Sequence, residues 1–460
     1  MAKKSTQISF SELNDELNKI SPDGDMLEDC EFAKIDEYIG LGSYILNAAT
    51  SGSLFGGIPN RRSITLAGEQ GTGKTYIALS ACRNAQAMNY TPIYCDTEGA
   101  IDIEFVRRLG VDTKNFRIEN INTVEEFCTL GANLNKTIRE IKDAGKIPPK
   151  VMVVLDSLGN LTSNKEKADT ISGSEKRDMT KQQAIRRLFR VIGNDFAKNA
   201  IPFIICNHVY AKIGSFFPGN EISGGGGVKF NSSIIHTLSI KQLTDKDSEE
   251  ATKKSNIDAV KVGVIVAVKP FKQRFTRLIK VEIHIPFYKQ PNPYVGLEKF
   301  ISWKNCGILR GKIINEKTYL KLKEEEQALC HAFEKEHLKQ LDVTEIKNLS
   351  SEDKKKIKII NGKQFIIEKL ETLYAFPKDT SRTLVCRHLQ GEIPLKELFT
   401  SKVFTQEILE ELDENIIKPT FQLPSIESMD DILEVTESLD EKSINLEDSK
   451  KTIDDVLDDE

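Results

Sequence analysis

The first chemical signal is an eight-residue run, Gly68-Glu69-Gln70-Gly71-Thr72-Gly73-Lys74-Thr75, which reads G-x-x-x-x-G-K-T. That spacing suits a phosphate chain. Glycines let the backbone turn inward and aim its N–H groups at phosphate oxygens. A helix opening directly after the loop adds the partial positive charge of its amino end. In such a loop Lys74 reaches the β- and γ-phosphates, and the Thr75 hydroxyl ligates Mg²⁺. A nucleotide with its Mg²⁺ is therefore the expected ligand.

Three further groups stand where a nucleotide's terminal phosphate would lie. Asp156 ends the apolar run Val151-Met152-Val153-Val154-Leu155. An aspartate in this place holds the Mg²⁺ shell in phosphate-loop nucleotidases; a strand-end cap is the plainer alternative. Glu98 follows Pro92-Ile93-Tyr94-Cys95, another apolar run. A carboxylate there can orient and deprotonate the attacking water, although an exposed turn residue fits the position equally well. His208 follows Asn207 at the end of Ile201-Pro202-Phe203-Ile204-Ile205-Cys206 and can hydrogen-bond a phosphate oxygen, with a purely structural histidine as the plainer alternative. Two polar stretches read as loops. Residues 162–177 have little pattern, and residues 209–230 hold Tyr210, Lys212, Phe216, Phe217 and Lys229 around Gly224-Gly225-Gly226-Gly227. Aromatic and basic side chains beside glycine hinges suit single-stranded nucleic acid, and also an ordinary surface loop or a protein interface.

These groups need strands that end together. Ser63-Ile64-Thr65-Leu66-Ala67 reads as the strand before the phosphate loop, and Tyr76 to Cys82 continues as a helix. Gly42 to Asn47 begins a helical pattern, and Gly56-Gly57-Ile58-Pro59 reads as a turn. Helices are predicted over Asp102 to Gly110, 123–144 and 178–199, with strands at 151–156, 201–207 and from Ile234 to Ile285. Strands alternating with helices at this spacing predict a mainly parallel, twisted sheet covered on both faces. Open sheets of that kind bind ligands at the carboxyl ends of their strands.

The 460 residues allow four segments. Residues 1–34 are polar, with one amphipathic helix (Phe10, Leu13, Leu17, Ile20) that would dock on a neighbouring subunit or on its own body. Residues 35–300 form the core. Residues 301–424 read as a smaller, mostly helical domain, with helical patterns near 317–339, 343–349 and 364–375. Residues 425–460 read as a disordered acidic tail. Residues 427–460 hold 14 acidic and 3 basic residues; the whole chain is −5, so the remainder carries +6. A mildly basic body suits polyanions, and an acidic tail can compete for the same surface. The eight cysteines are scattered without a C-x-x-C pair, which supports neither a zinc site nor a disulfide framework. No apolar run is long enough to span a membrane, and the amino terminus has no signal-peptide pattern, so a cytoplasmic location is expected, that of the host for a phage protein.

Taken together, these motifs resemble the RecA family of recombinases, most closely its phage UvsX-type branch. The resemblance covers roughly Leu41 to Leu297. It rests on the phosphate loop, Asp96-Thr97-Glu98-Gly99-Ala100-Ile101-Asp102, Leu155-Asp156-Ser157-Leu158-Gly159-Asn160-Leu161, Asn207-His208 and Gly224-Gly225-Gly226-Gly227-Val228-Lys229-Phe230. It implies a RecA-like ATPase core using ATP and Mg²⁺. Glu98 matches the water-activating glutamate, Asp102 and Phe105 the adenine contacts, and Asp156 the magnesium-associated aspartate. The 162–177 and 209–223 stretches match two DNA-binding loops, and Arg186 matches a DNA-contacting arginine. Lys212, Phe216, Phe217, Gly224, Gly225 and Lys229 would then face DNA. Phe230, Lys269, Lys272 and Arg274 fall where the family reaches toward a neighbour's ATP. The chain departs from cellular RecA proteins in carrying His208 where they carry Gln, as the UvsX-type branch does. The basic cluster also does not align cleanly with the family's trans-acting lysine pair.

The implied activity is DNA-stimulated ATP hydrolysis by a homo-oligomeric helical filament on single-stranded DNA, with duplex DNA as second substrate and strand exchange as outcome. The acidic tail would compete with DNA for the loops, engage a single-strand-binding protein or a mediator, or serve only as an inert solubilising tail. The alternatives are a ring helicase on the same core and a non-enzymatic ATP-binding regulator.

Overall fold

The computed structural model describes residues 9–20, 27, 30, 33–172, 180–211, 220–223, 225–244, 261–287, 290–301, 310–311, 339–340, 342–354, 357–360, 363–366, 373–374 and 398–423. Lys212, Phe216, Phe217, Gly224, most of the 317–339 pattern and the acidic tail lie outside the described residues. Among the described residues, no helix is long and apolar enough to cross a membrane.

Helix α1 (Phe10–Ile20) leaves Phe10, Leu13, Leu17 and Ile20 exposed along one stripe. Strand β1 (Tyr38–Ile39) pairs antiparallel with β2 (Ile58–Pro59), and α2 (Tyr44–Ser51) lies between them in sequence. The turn expected at Gly56–Pro59 is thus half strand. From there the chain follows the alternation: β3 (Ser63–Gly68), α3 (Lys74–Ala87), β4 (Tyr90–Asp96), α4 (Ile103–Arg108), β5 (Arg117–Asn120), α5 (Val124–Asp143), β6 (Lys150–Asp156), α6 (Asn164–Ser172), α7 (Thr180–Lys198), β7 (Phe203–Asn207). A small hairpin, β8 (Val209–Ala211) with β9 (Asn220–Ile222), precedes α8 (Gly225–Asn231), β10 (Ile234–Thr244), β11 (Lys261–Lys272) and β12 (Val281–Pro286).

The main sheet has eight strands in the order β12-β11-β10-β3-β7-β6-β4-β5. From β10 through β5 it is parallel, and β11 and β12 extend it antiparallel. Successive residues of a strand point to opposite faces, and this alternation divides the core in two. Tyr94, Met152, Val154, Ile204 and Cys206 pack toward α2 and α3. Ile93, Cys95, Val153, Leu155, Phe203 and Ile205 pack toward α5 and α7. The two faces together explain why these strands read as unbroken apolar runs.

Two expectations need correction. The stretch 162–177 was expected as a loop, yet its first half is helix α6. The Glu166 N–H donates to Ser163 Oγ at 2.9 Å and the Ser163 N–H approaches Glu166 Oε2 at 3.4 Å, a reciprocal cap that supplies two donors otherwise unpaired at a helix start. The helical pattern near 364–375 instead holds strands at Lys363–Ile366 and Leu373–Tyr374, the first paired antiparallel with Ile357–Ile360. Ile359-Ile360 lead into Asn361-Gly362, the dipeptide that two-residue hairpins favour. The helix expected at 343–349 is present as Val343–Asn348.

Residues 398–423 pack on the core. Leu398, Phe404, Ile408, Leu409, Leu412, Ile417 and Phe421 share the cluster containing Ile45 and Leu46. Asp413, almost fully buried, accepts from the Ser53 hydroxyl and the Leu54 N–H, both at 2.6 Å. Phe404 stacks on Tyr294 with ring centroids 5.0 Å apart.

Candidate active site

The phosphate loop joins β3 to α3 at the carboxyl edge of the sheet. Gly71 and Gly73 adopt φ of +77° and +83°, the left-handed region that favours glycine. The Lys74 side chain is buried, and its ammonium donates to the carbonyls of Gly68 and Glu69 at 2.9 and 2.8 Å. Burial holds its pKa below the ordinary lysine value, against the opposing pull of Cys206, Asp156 and Glu98. Gln70 and Glu69 are exposed at the loop's tip, and the Thr72 hydroxyl ties back to the Glu69 carbonyl at 2.8 Å.

The Thr75 hydroxyl donates to Asp156 Oδ2 at 2.7 Å, and the Tyr94 hydroxyl donates to the same oxygen at 2.6 Å. A hydroxyl and a carboxylate are hard oxygen donors and fit Mg²⁺, which keeps waters and phosphate oxygens in its shell and needs few protein ligands. Burial, with Asp156 adding to it, holds the Tyr94 hydroxyl well above the usual tyrosine range, so it stays a donor.

Glu98 is placed by Asp96. Asp96 Oδ1 accepts from the N–H groups of Glu98 and Gly99 at 3.0 and 2.9 Å, and Oδ2 accepts from Ile101 N–H at 3.2 Å. Such local capture of backbone donors fixes a turn. The Thr97 N–H donates to the Asp156 carbonyl at 2.8 Å, locking β4's end to β6's end. Glu98 Oε1 then accepts from the Ser157 hydroxyl at 2.8 Å, and His208 Nε2 lies 3.1 Å from both that oxygen and Ser157 Oγ. With the serine proton given to Glu98, Nε2 must carry the histidine's proton. Gly159 makes room for this ring: a Cβ there would lie 2.7 Å from His208 Cδ2.

His208 is tied in turn to the hairpin that follows. Its N–H donates to Asn207 Oδ1 at 2.9 Å, Asn207 Nδ2 donates to the Ser223 carbonyl at 2.8 Å, and the Ser223 N–H donates to the His208 carbonyl at 2.9 Å. The structure thus brings together Lys74, Thr75, Asp156, Glu98 and His208. Asp102 and Phe105 stand on the next segment: the Asp102 carboxylate caps α4 by accepting from the Phe105 N–H at 3.0 Å, and the Phe105 ring packs partly on the core.

The remaining predicted residues lie elsewhere. Gly225 and Lys229 are in α8, so the glycine run expected as a hinge opens a helix. Glycine costs a helix up to about 1 kcal/mol per residue, here offset by the fully buried Val228. Arg186 is exposed on α7. The Phe230 ring is 79% exposed. Lys272 Nζ donates to the carbonyls of Lys229 and Phe230, both at 2.9 Å, while Lys269 and Arg274 are exposed. Sequence reading missed Tyr94, Asp96 and Ser157. Each lies inside a run the sequence singles out, and an Asp two positions before Glu98 is a turn signal in its own right.

A mainly parallel sheet with a phosphate loop after β3 and carboxylates at the ends of β4 and β6 defines the α/β phosphate-loop class. Within that class the chain belongs to the RecA family, whose N-terminal domain matches residues 18–282. It is similar to Protein RecA of Treponema denticola, at 30% identity over 266 residues, covering 57% of this chain and 58% of that one. Similarity to Protein RecA of Saccharopolyspora erythraea is 31% over 243 residues, covering 52% and 64%. With Protein RecA of Acholeplasma laidlawii it is 31% over 238 residues, covering 51% and 66%. The chain thus spans about three fifths of the length of the first two relatives.

Proposed function

We propose that the chain is an ATP-dependent DNA recombinase that forms filaments on single-stranded DNA and exchanges strands with a homologous duplex. The observation that carries this reading is the continuous set of hydrogen bonds from Glu98 through Ser157 and His208 to Asn207 and Ser223. It joins a hydrolytic carboxylate to the base of the hairpin expected to meet DNA. Membership of the RecA family supports it, and His208 in place of glutamine favours the UvsX-type branch.

In this reading the loop N–H groups and Lys74 bind the triphosphate, and Asp102 and Phe105 flank the adenine. Thr75 and Asp156 would hold Mg²⁺, which would supply positive charge against the phosphoryl oxygens. Glu98 receives its hydrogen bonds on Oε1, and its Oε2 carries none among the described residues. Oε2 is therefore the oxygen that orients an attacking water and takes its proton, in line with the γ-phosphate. His208 donates from Nε2 and shifts as charge appears on the transferred group. That shift pulls on Asn207 and Ser223 and changes how Lys212, Phe216, Phe217, Gly224, Gly225 and Lys229 present to DNA. Of Phe230, Lys269, Lys272 and Arg274, those on the face turned to a second copy would complete that copy's nucleotide site, and Lys272 is held beside Phe230 by its bonds to the Lys229 and Phe230 carbonyls.

Electron microscopy of the full chain with ATP, Mg²⁺ and single-stranded DNA tests the assembly. Open helical filaments are expected. Closed rings would favour a helicase instead.

A further inference from the structure

A cavity of about 390 Å³ opens at the amino ends of β3, β7 and β10, the opposite end of the sheet from the phosphate loop. A strand of this length separates the two by about 20 Å. Four guanidiniums line the cavity, from Arg61, Arg62, Arg190 and Arg274, together with Asn194, Asn231 and Ser233, and among the described residues no acidic side chain does. Arg61 is structural: it donates to the carbonyls of Ala197 and Lys198 at 3.2 and 3.1 Å and pairs with Asp36 at 3.4 Å, leaving its Nε buried without a partner. Arg62 donates only to the Arg61 carbonyl, at 2.9 Å, and none of Arg62, Arg190 and Arg274 has a carboxylate partner among the described residues. Burial, then the nearby Arg274 and Arg61, hold Arg62 below its ordinary pKa. Like charges gathered in a half-buried cavity without a counter-charge cost stability unless an anion enters.

The cavity is not isolated. It shares Arg190 and Asn231 with a groove of about 600 Å³ between α7 and α8, lined also by Gln183, Arg186, Gly227 and Phe230. Gly227 leaves room for the Arg186 stem in that groove; a Cβ there would stand 3.2 Å from Arg186 Cγ. Arg186 and Arg190 are one helical turn apart on the face that leads down to Asn194. Cations thus follow one another from the hairpin end of α7 to the amino ends of the strands. A guanidinium fork matches two phosphate oxygens, and amides and hydroxyls beside it supply further donors.

We propose that Arg62 and Arg274, with Asn231 and Ser233, form a second phosphate subsite that holds the sugar–phosphate backbone of a nucleic-acid strand leaving the α7–α8 groove. This rests on the DNA-binding reading above, extends it to the end of the sheet opposite the chain's own phosphate loop, and gives Arg274 to DNA rather than to a second copy's nucleotide.

The test is binding of a fluorescent oligothymidylate to the full chain across a salt series without nucleotide, for the wild type, Arg62→Gln and Arg62→Lys. The expected result is roughly tenfold weaker binding for Arg62→Gln at low salt. The slope of log K against log salt should become shallower by about 0.7, the value for one single-strand phosphate contact. Arg62→Lys should keep the wild-type slope. Arg274→Gln, at an exposed position, gives the same reading if Arg62→Gln does not fold. A wild type that binds DNA while Arg62→Gln and Arg274→Gln keep its slope overturns this subsite and leaves the DNA-binding reading standing. Tighter binding by the variants also overturns it and points to the chain's own acidic segments in the cavity. A wild type that binds no DNA overturns both.

Discussion

Ser157 Oγ donates to Glu98 Oε1 at 2.8 Å, so the residue after Asp156 holds Glu98, the base in the proposed scheme, just past the end of the neighbouring strand. The bond joins two strand ends that the parallel sheet sets side by side, with Asp96 paired to Asp156 in register. Ser157 touches no substrate in this scheme; it positions Glu98 and receives the His208 proton.

Ser157→Ala should lower kcat for ATP by about tenfold to a hundredfold, because a misplaced base costs rate steeply. The affinity for a nonhydrolysable ATP analogue should stay within about twofold, which separates positioning from binding. Steady-state phosphate release and analogue titration on the same preparation check both numbers. An equal loss of kcat and analogue affinity would assign Ser157 to the fold of the loop instead.

Asp156 Oδ2 takes two hydroxyl donors, from Thr75 and Tyr94. Asp156→Asn should raise the Mg²⁺ concentration needed for half-maximal nucleotide affinity by about tenfold or more. Tyr94→Phe, which removes only the supporting donor, should move it by less. Isothermal titration at several Mg²⁺ concentrations distinguishes the two variants.

His236 is fully buried within β10, with its pKa held down to about 4 by burial. Thr50 gives its proton to the Leu46 carbonyl at 2.7 Å, so His236 Nε2, 3.0 Å away, donates to Thr50 Oγ1. The folded value lies below the unfolded value of about 6.5. The unfolded chain therefore binds the extra proton between pH 6.5 and 4, and stability falls as the solution is acidified through that window. The loss from His236 between pH 7 and pH 5 should be about 2 kcal/mol. Urea unfolding at the two pH values should show it in the wild type and not in His236→Gln.

Phe404 is buried against Tyr294. Phe404→Ala should destabilise the core by about 3–5 kcal/mol, the usual cost of deleting a buried aromatic ring. An unchanged thermal midpoint would mean that residues 398–423 are not part of the unit that unfolds with the sheet.

The sequence displayed the strands, the phosphate loop and the acid groups well, because each strand of a doubly covered sheet is an apolar run ending in a polar residue. It concealed what depends on geometry between distant segments. Ser157 lies inside a recognised run, yet its partner is 59 residues earlier, and nothing local marks it. Residues 398–423 read as part of a separate region because Asp413 and its partners Ser53 and Leu54 stand some 360 positions apart. Helix α6 was legible in principle: Ser163 and Glu166 have the three-residue spacing of a reciprocal cap, which the polar composition around them obscured. The strands near 363 were masked by lysine- and glutamate-rich flanks, although Asn361-Gly362 signalled a hairpin.

The central claim is that Glu98 hydrolyses ATP under the control of DNA, and ATP turnover with and without single-stranded DNA tests it most directly. The wild type should release phosphate faster with DNA present, and Glu98→Gln should bind ATP and DNA with near-wild-type affinity while losing turnover by about a hundredfold or more. Turnover by Glu98→Gln at the wild-type rate, or wild-type turnover indifferent to DNA, would contradict the account.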